Sequence, residues 1–180
     1  MGAHFEISIA SSKYINIRQF DGIWNALGSP AVFSDSWILP GFLFSREEMV
    51  PFQLLSQLET ITLLQEGKVI EYNGTINQDT AIGIHQYMEQ GKYYLSDLWF
   101  DTEKLPQFDA GEVSPVIRNL YDTVVTYLSA CNALFFAMGP EMLFKFSANY
   151  AEMRKNSHGV LMWWFRRDAA EAANQIVRRC

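Results

Sequence analysis

The stretch His4-Phe5-Glu6-Ile7-Ser8-Ile9-Ala10-Ser11 puts Phe5, Ile7 and Ile9 on one side of an extended chain and Glu6, Ser8 and Ala10 on the other. Successive side chains of a strand point to opposite faces, so this period of two predicts a half-buried strand that opens the fold. Beyond it, Ile17, Phe20, Ile23, Trp24 and Leu27 recur at three- and four-residue steps, with Ser11 or Ser12 as the cap and Gly28 and Pro30 at the end. That is the pattern of a helix with one apolar stripe. A strand followed at once by such a helix calls for a layered fold in which helix packs on sheet.

Working outward, Trp37 to Phe44 is apolar and aromatic but contains Pro40-Gly41, which predicts an interrupted or edge strand. Ser45-Arg46-Glu47-Glu48 has capping-box spacing, and Pro51 directs the following helix to about residues 51–65. Val69 to Tyr72 suits a short strand, with Asn73-Gly74 as a turn. Asp79 is read as the cap of a helix from Thr80 to Gln90, stopped by Gly91, before Lys92 to Phe100 resumes extended character. Ser114-Pro115 is a strong helix start, and the apolar pattern after it predicts one long helix reaching Gly139-Pro140. A helix over Glu141–Lys155, a strand over Val160–Phe165 and an alanine-rich helix over Ala169–Arg179 complete the expected order.

No linker divides the chain, so residues 1–180 are expected to form a single globular domain of the α+β class, with a mixed or antiparallel sheet flanked by helices. A mainly parallel α/β sheet is the alternative. The 49% hydrophobic and 14% aromatic content supplies enough core for one domain of this length.

Charge narrows the partners. Lys and Arg number 14 against 20 Asp and Glu, the wrong sign for a domain that neutralises phosphates, so direct nucleic-acid binding is not expected. Residues 46–112 hold twelve acids and four bases, a net −8, while residues 113–180 are basic by +3. Such a dipolar chain steers a cationic partner toward its acidic side. The N-terminal residues lack the basic region and apolar run of an export signal, and the apolar run Leu120 to Met138 contains Asp122 and Asn132, so neither export nor a membrane span is expected. Two cysteines, Cys131 and Cys180, fit a reducing compartment, and the reading is cytoplasmic with Cys131 as an inert core thiol.

The chain lacks the spacings of zinc, Walker, dinucleotide and serine-hydrolase motifs. Its three histidines, His4, His85 and His158, are scattered, and His85 is read as a half-exposed helix side chain. Trp163-Trp164 before Arg166-Arg167 suggests a basic aromatic patch, but adjacent strand residues face opposite ways, so one tryptophan belongs to the core. The strongest constellation is acidic. Asp97, Asp101 and Glu103 are separated by even steps and share a face if the chain stays extended, with Trp99 as an aromatic anchor, while Asp109 and Glu112 follow in an exposed connection over 101–114. Carboxylates so spaced have the oxygen chemistry of a Mg²⁺ or Ca²⁺ site, yet the reading assigns no metal and no cofactor.

These features together predict a non-enzymatic acidic interaction module that binds a basic partner protein through Asp97, Trp99, Asp101, Glu103, Asp109 and Glu112, together with the helix residues Glu47 and Glu48. An immunity or inhibitor protein is its concrete form. On this reading, Asp97→Lys or Asp101→Lys weakens binding without lowering the melting temperature. The contrasting expectation is a small-ligand-binding domain or enzyme with an aromatic-lined pocket, using Asp97, Asp101 and His85 as scattered polar groups.

Overall fold

The computed structural model of the protein describes residues 3–40, 49–50, 55–109 and 111–166. The expected capping box at Ser45–Glu48, the start of the helix at 51 and the helix over Ala169–Arg179 lie outside the described residues.

The opening alternation forms β1 (His4–Ser11), with Phe5, Ile7 and Ile9 fully buried or nearly so. Because β1 continues through Ser11, the cap of the next helical segment is Asn16, whose side chain accepts from the Arg18 amide while Gln19 reaches back to the Asn16 amide at 3.0 Å. A 3₁₀ turn over Ile17–Phe20 then leads into α1 (Asp21–Ala26). β2 (Val32–Leu39) ends at Pro40 and lies one strand in from the edge, paired with the short β3 (Met49–Val50) through two residues. A capping box at Ser56 and Glu59 starts α2 (Gln57–Gln65), inside the expected helix but shorter than it.

β4 (Val69–Ile76) runs straight through Asn73-Gly74, so that pair is not a turn. Gly74 serves a close approach instead: a Cβ there would sit 2.3 Å from the Val32 carbonyl oxygen, beside the register shift between β2 and β4. The chain reverses after Ile76 at Asn77 and Gln78, both at positive φ, and returns as β5 (Thr80–Glu89). The expected helix over Thr80–Gln90 is therefore a strand. Thr80, Ile82, Ile84 and Gln86 are all buried on one face, a period of two carried by β-branched residues that favour extended backbone. A second tight reversal at Gln90-Gly91, again at positive φ, leads to β6 (Tyr93–Asp101).

The connection after β6 is partly ordered by a 3₁₀ turn at Pro106–Phe108, which buries Phe108 against Phe5 and Phe100. Ser114 caps α3 (Pro115–Ser129) by accepting from the Ile117 amide. This helix stops ten residues short of the expected end. The chain turns at Ala130–Asn132 and continues as β7 (Ala133–Pro140), whose unbroken apolar run reflects a strand covered on both faces, which no periodicity distinguishes from a buried helix. Cys131 accordingly sits in that turn, half-buried. The expected helix over Glu141–Lys155 is helical only from Tyr150, as α4 (Tyr150–Asn156) capped by Asn149, and β8 (Met162–Phe165) matches the last expected strand.

The strands form one eight-stranded sheet in the order β3-β2-β4-β5-β6-β1-β7-β8, and every neighbouring pair is antiparallel. That settles the class as α+β and removes the parallel alternative. One face carries the main core, where Phe5, Ile7, Ile84, Leu98 and Phe136 pack against Ile23 and Trp24 of α1, Leu64 of α2 and Ile117, Leu120, Val124 and Leu128 of α3. Fully burying such a side chain contributes about 1.5–3 kcal/mol, so this layer dominates stability. The opposite face is divided. Toward one end it is apolar, with Leu39, Val69, Tyr87, Leu95, Phe135 and Met153 clustered beside Tyr150, Trp163 and Phe165. Trp164 turns the other way and stacks on Phe136, as alternation requires. The remainder of this second face is polar.

Candidate functional site

Antiparallel register lays a line of polar side chains across the second face. Glu71 on β4 stands opposite His85 on β5, His85 opposite Asp97 on β6, and Asp97 opposite Ser8 on β1. The next line reads Asn73, Gly83, Trp99 and Glu6 on the same four strands. Adjacent strands lie about 4.8 Å apart and diagonal neighbours within about 7–8 Å, so Glu6 and Asp97 share one patch of sheet. Alternation explains the construction: Ile7, Ile84 and Leu98 fill the helical core, and the residues beside them in sequence are left to build the polar face.

These side chains line a cavity of about 410 Å³ with Glu6, Glu71 and Asp97 among its walls, His4, His85 and Trp99 beside them, and Met142, Leu143 and Phe144 closing one side. The closing segment is tied down where the Glu141 amide donates to the His4 carbonyl at 2.7 Å and where Leu143 and His158 exchange backbone hydrogen bonds. Trp99 and His4 stack with centroids 4.8 Å apart. Trp99 has room because residue 83 is glycine; a Cβ there would lie 2.4 Å from the indole.

The electrostatics are unusual for a sheet surface. Burial, followed by the nearby Asp97 charge, raises the Glu6 carboxyl to about 7, although the Met142 amide and His85 oppose the shift. Burial also pushes the Asp97 carboxyl up, against hydrogen bonds from the Ser8 and Tyr87 hydroxyls and the influence of His85. Its Oδ1 is shut off from solvent and has no hydrogen-bond partner. Glu71 is held from both sides: Oε2 lies 3.3 Å from His85 Nε2, and Oε1 accepts from Asn73 Nδ2 at 2.8 Å. Asn73 Nδ2 also donates to Asp35 Oδ1, which accepts from Trp37 Nε1, each at 3.0 Å. A continuous polar network therefore runs from β2 to β5, with Asp97 of β6 next in the register.

The order of these groups limits the chemistry. Ser8 is 2% exposed and its hydroxyl is engaged by Asp97, while His85 lies one strand further away, so the register does not set a histidine beside that hydroxyl. Among the described residues no three His, Cys, Asp or Glu side chains are arranged to hold a metal ion. What the geometry offers is a set of carboxyl oxygens beside aromatic and apolar walls, with neither Lys nor Arg among the described lining residues. A positively charged group is the natural complement.

The residues selected from sequence separate into two groups. Asp97 and Trp99 both line the cavity. Asp101 pairs with His4 at the end of β6, and its carboxylate accepts from the Glu103 amide at 2.8 Å, so Glu103 has left the strand row and is exposed. Asp109 and Glu112 are exposed in the connection to α3, which packs on the opposite face. His85, expected on a helix, is instead the strand residue between Glu71 and Asp97. Sequence reading did not select Glu6, Ser8 or Glu71, although a carboxylate and a hydroxyl alternating with fully buried residues in one strand were visible signals. Elsewhere, an open groove of about 620 Å³ runs past Tyr127 and Cys131 at the end of α3. Burial raises the Cys131 thiol and Arg166 opposes this, leaving the group less reactive than a free thiol.

Comparison with family models, with curated proteins and with solved structures gives no match to the chain.

Proposed function

We propose that this chain is a non-enzymatic binding domain for a basic partner protein, of the kind an immunity or inhibitor protein represents, and that the partner places a cationic side chain in the cavity on the polar face of the sheet. The observation that carries this reading is the composition of the cavity: Glu6, Glu71 and Asp97 line it without a neighbouring Lys or Arg among the described residues, and Asp97 Oδ1 is buried without a partner. Asp101 and Glu103 extend negative charge beyond the cavity and speed the approach of a basic surface, while Trp99 supplies short-range affinity. No helix among the described residues is long and apolar enough to cross a membrane. A reducing cytoplasm is the proposed setting.

The test is capture of a basic partner on immobilised chain over a salt series, with the Glu71→Gln and Asp101→Lys variants alongside. The reading expects a stoichiometric basic protein released progressively by salt, reduced retention on both variants, and unchanged melting of Asp101→Lys. Equal retention on the wild type and both variants would remove the cavity and its rim from the interface. A second reading, a small-ligand receptor or enzyme, rests on Glu6, whose carboxyl is raised to about 7 and so is suited to proton transfer near neutrality. Stabilisation of the isolated chain by a metabolite without any protein partner would favour it.

A further inference from the structure

The cavity specifies more than positive charge. Its acceptors sit on three different strands, with Glu6 on β1, Asp97 on β6 and Glu71 on β4, and the space between them is walled by Trp99, Phe144 and Met142. A lysine ammonium is a compact, strongly hydrated point charge that would shed its water among apolar walls. A guanidinium is flat, weakly hydrated and stacks on aromatic rings, and its five donors reach several acceptors at once. Asp97 lines the same space, and its Oδ1, shielded from solvent without a partner, marks a carboxyl already partly stripped of water. We propose that this cavity receives the guanidinium of an arginine side chain and that its entry expels a proton from the Glu6–Asp97 pair, so that capture is coupled to proton release. The inference rests on the basic-partner reading and names the group that is recognised.

The charged groups facing Glu6 support the coupling. Asp97 lies diagonally from it on β6 and Glu141 approaches from the segment after β7, both acidic. The Met142 amide and His85 on β5 favour the ionised form, and His85 is engaged with Glu71. His4, two residues along β1, is stacked on Trp99, and Ser8 is committed to Asp97. With neither Lys nor Arg among the described lining residues, Glu6 holds part of a proton at neutrality beside Asp97, and an incoming guanidinium takes the place of that proton. The ligand-competent fraction then grows as pH rises through 7, and apparent affinity grows with it.

The experiment is isothermal titration of the full chain with N-acetyl-arginine methylamide and its lysine counterpart at pH 6, 7 and 8, in two buffers of different ionisation heat. The arginine probe is expected to bind about tenfold more tightly at pH 8 than at pH 6, to release close to one proton at pH 6, and to outperform the lysine probe at each pH. Glu6→Gln, a neutral isostere that preserves the packing, should abolish the pH dependence. Glu71→Gln should weaken binding but keep it. Arginine binding that is flat with pH, a lysine probe that binds as well, or proton release that survives Glu6→Gln each overturns the inference. If neither probe binds while a basic partner is still captured in a Glu71-dependent way, the inference falls and the binding reading stands. If both fail, both fall.

Discussion

Asp97 and Asp101 lie four residues apart on one strand and on one face, yet charge reversal should affect them differently. Asp97 is built into the polar row between His85 and Ser8, so Asp97→Lys places an ammonium where a carboxyl accepts from two hydroxyls, and a loss of about 2–5 kcal/mol is expected in denaturant unfolding. Even spacing alone gave the two residues the same role; burial reserves the clean binding test for Asp101→Lys. Glu6 makes a second residue-scale prediction. Its folded carboxyl titrates near 7 against an ordinary value of 4.5, so the folded state binds more protons than the unfolded state between those values, and stability falls as pH rises through that window. The fall should be about 1–2 kcal/mol after discounting for solvent screening of a half-buried group, and Glu6→Gln should flatten it in urea melts at pH 5 and pH 8. At Gly83 a methyl group meets the Trp99 indole at 2.4 Å; Gly83→Ala should cost about 1–3 kcal/mol and shift tryptophan emission as the ring is displaced.

Elements show what a single sequence conveys. β1, β6, β8 and the start of α3 were legible because each carries a local mark: alternation against polar residues in β1 and β6, the turn residues Asn156 to Gly159 ahead of β8, or a serine cap before proline at Ser114-Pro115. β7 was not, because it is an interior strand covered on both faces whose apolar run reads equally well as buried helix, and β5 was not, because Asp79 and Gly91 frame it like the cap and stop of a helix. The hairpin between β4 and β5 was displaced for a related reason. Asn73-Gly74 has the composition of a turn, but Gly74 is there for the close approach of β2, and the actual reversal uses Asn77-Gln78, a pair with no glycine. Gln78 at φ 74° adopts a backbone that glycine reaches more easily. Gln78→Gly should therefore stabilise the chain by about 0.5–1 kcal/mol in thermal or denaturant unfolding, whereas an unchanged or lower midpoint would mean that the Gln78 side chain contributes more than its backbone costs.

For the whole molecule, the antiparallel sheet converts six scattered polar positions into one site. His4, Glu6, Glu71, His85, Asp97 and Trp99 span ninety-six residues of sequence, and only the strand order β4-β5-β6-β1 makes them neighbours. Composition made the acidic middle third visible; the partners of Asp97 depended on register, which no local pattern encodes. The same topology sends Asp109 and Glu112 toward the helical face and so divides the acidic segment between cavity and surface. The most direct test of this division is a two-dimensional amide and indole NMR titration of the full chain with an arginine-rich peptide at pH 8. Saturable, salt-sensitive shifts of the Trp99 indole and of the Glu6, His85 and Asp97 amides are the predicted result. Shifts confined to the connection around Asp109 and Glu112, or no shifts at all, would contradict the claim that the polar face of the sheet is where this protein binds.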